Sequence, residues 1–187
     1  QLDPAAPTVQ LKMAGFGGQG VLSMGVILAR AACAAGKFTS WYPSYGPEQR
    51  GGTANCGVVI SGRPVGTPMV TEADVLVAMN RPSLEKFAGE VKPGGLLLYA
   101  AEIGEFPAPA GVRTLAVPAL DLAKQGGNPR AANVAMVGVL AGLDGFGLPE
   151  TAYREALAAN FAGKAKVVAQ NEAVFALAKR WGEAHRA

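Results

Sequence analysis

Two glycine-rich turns hold most of the residues in this sequence that could meet a ligand. The first, Gly15-Phe16-Gly17-Gly18-Gln19-Gly20, fits G-x-G-x-x-G directly after an alternating apolar stretch and directly before a helical pattern. Glycines at such a junction permit positive φ, let the backbone approach a bound group, and aim the first N–H groups of the helix at an anion. A phosphate or a carboxylate suits that place. The loop is followed by Val21 and Leu22 in place of a Lys-Ser/Thr pair, so triphosphate hydrolysis has no support. No Asp or Glu stands between the loop and Glu48 to hold a ribose, and the neighbourhood where one is expected reads Thr39-Ser40-Trp41-Tyr42. The plain alternative is a tight strand-to-helix turn without a ligand.

The second turn, Ser44-Tyr45-Gly46-Pro47-Glu48-Gln49-Arg50-Gly51-Gly52, brings an aromatic ring, a carboxylate and a guanidinium together. Arg50 offers a planar fork for a carboxylate or phosphate and Tyr45 a stacking surface; alternatively Glu48 and Arg50 pair with each other at the surface. Machinery for proton transfer is missing. The one histidine, His185, is expected in solvent a few residues beyond the last helix. Cys33 and Cys56 fit neither a disulfide framework nor a metal-ligand spacing, and both are expected in the core. Any iron–sulfur cluster must then be held by another chain.

These turns need elements to position them. Val9, Leu11 and Met13 alternate with polar residues as a first strand, and Val21, Met24, Leu28, Ala31 and Ala35 recur at helical spacing up to Gly36. Strands are expected at Phe38–Tyr42, Ala54–Ser61, Asp74–Met79, Leu96–Tyr99 after a Pro93-Gly94-Gly95 turn, and Val112–Val117. Asn80-Arg81-Pro82 opens a helix to about Gly89, and a proline- and alanine-rich loop follows from Ala100 to Gly111. Later helices are expected at Leu120–Gln125, from Asn128 as N-cap with Pro129 in the first turn, at Glu150–Phe161 and at Val167–Trp181. The pattern predicts a single α/β domain, a Rossmann-like, open, mostly parallel sheet with helices on both faces. It spans residues 9–182, between tails at 1–8 and 183–187.

At 187 residues and 50% hydrophobic, the chain has enough material for one substantial core. Charged residues are only 17%, and a surface so sparsely charged expects to be covered by a partner. The pI near 9.0 comes from dispersed Lys and Arg with no basic run, which argues against nucleic acid. Neither a signal peptide nor a membrane span is expected, and a cytoplasmic location is the simplest expectation.

With GFGGQG after the first strand, SYGPEQRGG leading into ANCGVVIS, and NPRAAN at 128–133 opening a helix, the sequence resembles the gamma subunit, or the equivalent fused domain, of 2-oxoacid:ferredoxin oxidoreductases. The resemblance covers about Val9 to Leu143. It implies a non-autonomous subunit of an enzyme that oxidatively decarboxylates a 2-oxoacid on thiamine diphosphate with Mg2+, passes electrons through iron–sulfur clusters to ferredoxin or another acceptor, and forms an acyl-CoA. This chain alone then binds no cofactor; alpha, beta and in some enzymes delta subunits are its partners. Residues implied to complete the thiamine or coenzyme A site are Gly15, Gly17, Gly18, Gln19, Gly20, Tyr45, Gly46, Pro47, Glu48, Arg50, Gly51, Gly52, Asn80, Asn128 and Asn133. The motif stretch looks nearer to the 2-oxoglutarate and branched-chain branches than to the indolepyruvate branch. Two other readings stand beside this one: a purely architectural subunit whose loops only pack against partners, and a free-standing dinucleotide-binding protein.

Overall fold

A computed structural model describes residues 8–44, 53–143 and 145–186. Six strands form one sheet: β1 (Thr8–Phe16), β2 (Phe38–Ser44), β3 (Thr53–Ser61), β4 (Ala73–Ala78), β5 (Val91–Ala100) and β6 (Arg113–Val117), in the order β2-β3-β1-β4-β5-β6. Pairings β1–β4, β4–β5 and β5–β6 are parallel, whereas β3 runs antiparallel to both β1 and β2. Only β3 therefore opposes the common direction. Helices are α1 (Val21–Ala34), α2 (Arg81–Phe87), α3 (Ala119–Gln125), α4 (Ala132–Leu143), α5 (Glu150–Asn160) and α6 (Ala165–Ala184).

Alternation along the strands divides the core. Leu11 and Met13 of β1, Cys56 and Val58 of β3, and Val75 and Val77 of β4 point to a large cluster shared with α1, α4, α5 and α6. The intervening Ala14, Leu76, Ala78 and Leu97 point the other way and meet Leu84 and Phe87 of α2. Helices thus lie on both faces, but unequally: α2 alone covers the second face, over β1, β4 and β5.

Within the thicker layer α4 is buried almost throughout, and it approaches α6 through small residues. A Cβ on Gly142 would overlap the Lys179 carbonyl, and one on Gly182 would lie 2.5 Å from the Val139 carbonyl. Such a separation excludes any larger side chain.

Several expectations are corrected. Asn128 is not the cap of α4, which begins at Ala132. Its Oδ1 accepts from the Arg130 N–H at 3.2 Å and its Nδ2 donates to Asn171 Oδ1 at 2.9 Å, so a side-chain turn competes successfully with helix initiation. Cys33 is exposed, because its position falls outside the stripe Met24, Leu28, Ala31 and Ala32 that faces the core. The Pro93-Gly94-Gly95 turn lies inside β5, which starts at Val91 and passes an irregularity opposite β4, with Gly94 at φ 84°. Thr8 already pairs with Ser61 in the sheet. Helix α6 runs three residues past Trp181, so His185 caps it and stacks on the Trp181 indole, ring centroids 3.8 Å apart.

Candidate functional site

The rim at the carboxyl ends of β1 and β4 is assembled by Gln19. Strand β1 extends through Gly15 and Phe16, leaving Gly17, Gly18, Gln19 and Gly20 as the turn proper. The Gln19 side chain folds back: its Oε1 accepts from the Phe16 N–H at 2.6 Å and its Nε2 donates to the Met79 carbonyl at 3.2 Å. Met79 in turn donates its N–H to the Ala14 carbonyl at 2.8 Å. One amide thereby ties the glycine turn to the ends of two parallel strands, and its role here is to shape the turn.

Helix α1 opens from Gly20, whose φ of 71° is left-handed. No side chain caps that end and no acidic residue occupies the first turn. Its first N–H groups thus meet neither a capping oxygen nor a compensating charge, the arrangement that favours an anion or a partner's carbonyl oxygen. From α4, the buried Asn133 donates its Nδ2 to the Gly20 carbonyl at 3.3 Å. Gly20 has no room for a side chain, since a Cβ would sit 2.8 Å from Asn133 Cγ. Two motifs 113 residues apart in sequence are therefore one structural unit.

Asn80 lies next to this unit, directly after Met79. It caps α2, its Oδ1 accepting from the Ser83 N–H at 2.8 Å, while its buried Nδ2 has no hydrogen-bond partner among the described residues. The capping was readable from an Asn standing directly before Arg81-Pro82, where the helical pattern begins. The Asn128 side chain is bonded to Asn171, which is buried in α6 and which no local pattern announces. Tyr45, Gly46, Pro47, Glu48, Arg50, Gly51 and Gly52 lie outside the described residues. Their flanks are placed: Ser44 pairs with Asn55 and Thr53 with Phe16, so β2 ends and β3 begins at the rim that carries the glycine turn.

Among the described residues, the groups at this rim are backbone N–H donors and side-chain amides. Among the described residues no group of three or more His, Cys, Asp or Glu could hold a metal ion. Cys56 is buried, and desolvation pushes its thiol up to about 12, so no nucleophilic thiolate is available near neutral pH. The Lys179 ammonium is raised, chiefly by its bond to Glu183, and the Glu183 carboxyl is lowered by the same bond, but both belong to α6. A dinucleotide site faces a further obstacle. The crossover β1-α1-β2 does not place β2 beside β1, because β3 is inserted between them.

Comparison with known proteins places the chain among relatives of known class. The ketoisovalerate oxidoreductase subunit VorA of Methanothermobacter thermautotrophicus is 53% identical over 179 residues, 96% of this chain but 37% of the relative. The 2-oxoglutarate synthase subunit KorC of the same organism is 37% identical over 139 residues, 70% of this chain and 74% of its own length. This chain thus spans little more than a third of VorA. The gamma subunit of a keto/oxoacid ferredoxin oxidoreductase from Geobacter sulfurreducens superposes with a TM-score of 0.80 at 29% identity, covering 94% of this chain and 99% of that one. A 2-oxoglutarate:ferredoxin oxidoreductase from Magnetococcus marinus, determined with 2-oxoglutarate, coenzyme A and succinyl-CoA bound, superposes at 0.85 with 28% identity, over 96% of this chain and 32% of that one. No helix among the described residues is long and apolar enough to cross a membrane. Residues 10–181 match the pyruvate ferredoxin/flavodoxin oxidoreductase family, and the chain belongs to it.

Proposed function

We propose that this chain is the gamma-type subunit or domain of a multi-subunit, thiamine-dependent 2-oxoacid:ferredoxin oxidoreductase that converts a 2-oxoacid to an acyl-CoA. The observation that carries the reading is the rim itself. It offers backbone donors at an uncapped helix end, tied into place by Gln19 and Asn133. A site of that kind orients an anionic group or a neighbouring backbone and leaves bond making to other chains.

Among the described residues no group of side chains could hold Mg2+ or an iron–sulfur cluster, with one thiol exposed on α1 and the other buried in β3, and on this reading thiamine diphosphate is held elsewhere in the complex too. They belong to alpha and beta subunits, with ferredoxin or another acceptor served through the complex. Coenzyme A carries phosphates that the α1 end could receive, with Gly17, Gly18 and Gly20 leaving the approach open and Arg50 as the cationic candidate. Identity of 53% to a ketoisovalerate subunit against 37% to a 2-oxoglutarate subunit favours a branched-chain 2-oxoacid.

The test is the assembled enzyme with Arg50→Ala. A raised KM for coenzyme A at unchanged subunit stoichiometry supports the binding role, and unchanged saturation by both substrates removes Arg50 from the site. The architectural reading predicts instead that variants in either turn change stoichiometry and leave turnover per assembled complex intact.

A further inference from the structure

Among the described residues, most of the large apolar side chains that are exposed gather on one side of the sheet. Phe38 (49% exposed) and Tyr42 (47%) stand on β2, Met69 (54%) on the loop over β3, and Phe16 (42%) at the end of β1. Alternation puts Phe38, Tyr42 and Phe16 on the face that α2 covers only over β1, β4 and β5. The loop at 62–72 covers part of the remainder, packing Val65 and Val70 on Val59. Between loop and edge strand lies an open slot of about 180 Å3, its walls Tyr42 and Met69 and its floor Lys12, Asn55 and Gly57.

This strip carries little charge. Lys12 lies 2.5 Å from Glu90 and 4.6 Å from the centre of the Phe87 ring, so its charge is committed within the protein. Strand β2, Phe-Thr-Ser-Trp-Tyr-Pro-Ser, has no charged residue, although it is a sheet edge. Exposed edges are ordinarily guarded by charge, and Pro43 is the only guard here. An uncharged edge beside exposed aromatics is the composition of an interface centre, where charged residues are depleted and Tyr and Met enriched.

We propose that this strip, Phe38, Tyr42, Met69 and Phe16, is the docking surface for another polypeptide of the same enzyme, one that presents uncharged, apolar side chains and fills the Tyr42–Met69 slot. Two observations select that occupant over a second copy. The 53% identical relative carries this whole region as 37% of a longer chain, so further polypeptide accompanies the same domain there. The strip is also continuous with the rim, through the pairings Ser44–Asn55 and Phe16–Thr53, where the proposed function requires a neighbour. The inference rests on the reading of the chain as an oxidoreductase subunit.

The experiment co-expresses the full chain with the thiamine-binding and cluster-bearing subunits and measures stoichiometry and affinity by light scattering and titration. Tyr42→Glu and Met69→Glu are each expected to weaken assembly at least tenfold with an unchanged melting temperature of the chain. Leu120→Glu, on the opposite layer, is expected to assemble normally. Wild-type affinity in both strip variants overturns the assignment, as does a homodimer of the chain that those variants dissociate. Failure of the wild-type chain to join those subunits overturns the functional reading, and the docking surface with it. Met69 lies outside the sheet, so its variant remains informative should Tyr42→Glu disturb β2.

Discussion

Asn133 of α4 donates a hydrogen bond to the carbonyl of Gly20, the residue that opens α1, across 3.3 Å. That carbonyl also accepts from the Met24 N–H at 3.0 Å, so the first helical turn and a distant helix share one oxygen. Removing the amide with Asn133→Ala is expected to cost about 1 kcal/mol, since the bond is part-buried. Gly20→Ala is expected to cost more, because left-handed backbone alone penalises alanine by about 1–2 kcal/mol and the new Cβ overlaps Asn133. The double variant should be less damaging than the sum, as the overlap is then relieved; denaturant unfolding of all four proteins measures the coupling.

Gln19 separates two bonds by chemistry. Gln19→Glu keeps an acceptor for the Phe16 N–H but loses the donor to the Met79 carbonyl, whereas Gln19→Leu loses both. Hydrogen exchange at the Phe16 amide is expected to stay slow in the first variant and to quicken at least several-fold in the second. Equal protection in all three proteins would contradict the clamp.

Packing of α4 on α6 depends on the absence of a side chain at Gly142. Gly142→Ala is expected to destabilise by about 1–3 kcal/mol through overpacking against the Lys179 carbonyl. Gly89→Ala, where a Cβ meets nothing within 4 Å, is the matched control and should change stability little. Thermal melting distinguishes them.

The two thiols should differ in both reactivity and pH response. Cys33 is exposed and is expected to react with a thiol reagent in the native protein, while Cys56 should react only on unfolding. Burial raises Cys56 from an ordinary 9.0 to about 12. Above pH 9 the unfolded chain releases this proton while the folded chain retains it, so the native state then binds more protons and stability falls as pH rises. The contribution is fully present below about pH 9 and is lost toward pH 12. Cys56→Ala should flatten that alkaline decline by the slope of a single proton, as followed by denaturant midpoints from pH 8 to 11.

Local signals suffice for the elements. The alternation of Val9, Leu11 and Met13, the helical recurrence of Met24, Leu28 and Ala31, and the apolar run before Asn80 each reflect a periodicity carried by neighbouring residues, and the structure has strands and helices there. The glycine turn was legible for the same reason, because φ above zero at Gly18 and Gly20 is a demand of the chain on itself. Where Asn128 failed as a cap, the local rule was sound but a competitor, Asn171, lay 43 residues away.

What the amino-acid order determined by itself is therefore the succession of elements and the family motifs. Tertiary structure alone decided that β3 slips between β1 and β2, that Gln19 turns inward to Met79, that Cys33 faces solvent, and that Phe38, Tyr42 and Met69 share a strip. The physical reason is range. Periodicity and backbone preference act over a few residues, while strand order, shared carbonyls and unequal covering of the two faces depend on which distant surfaces meet.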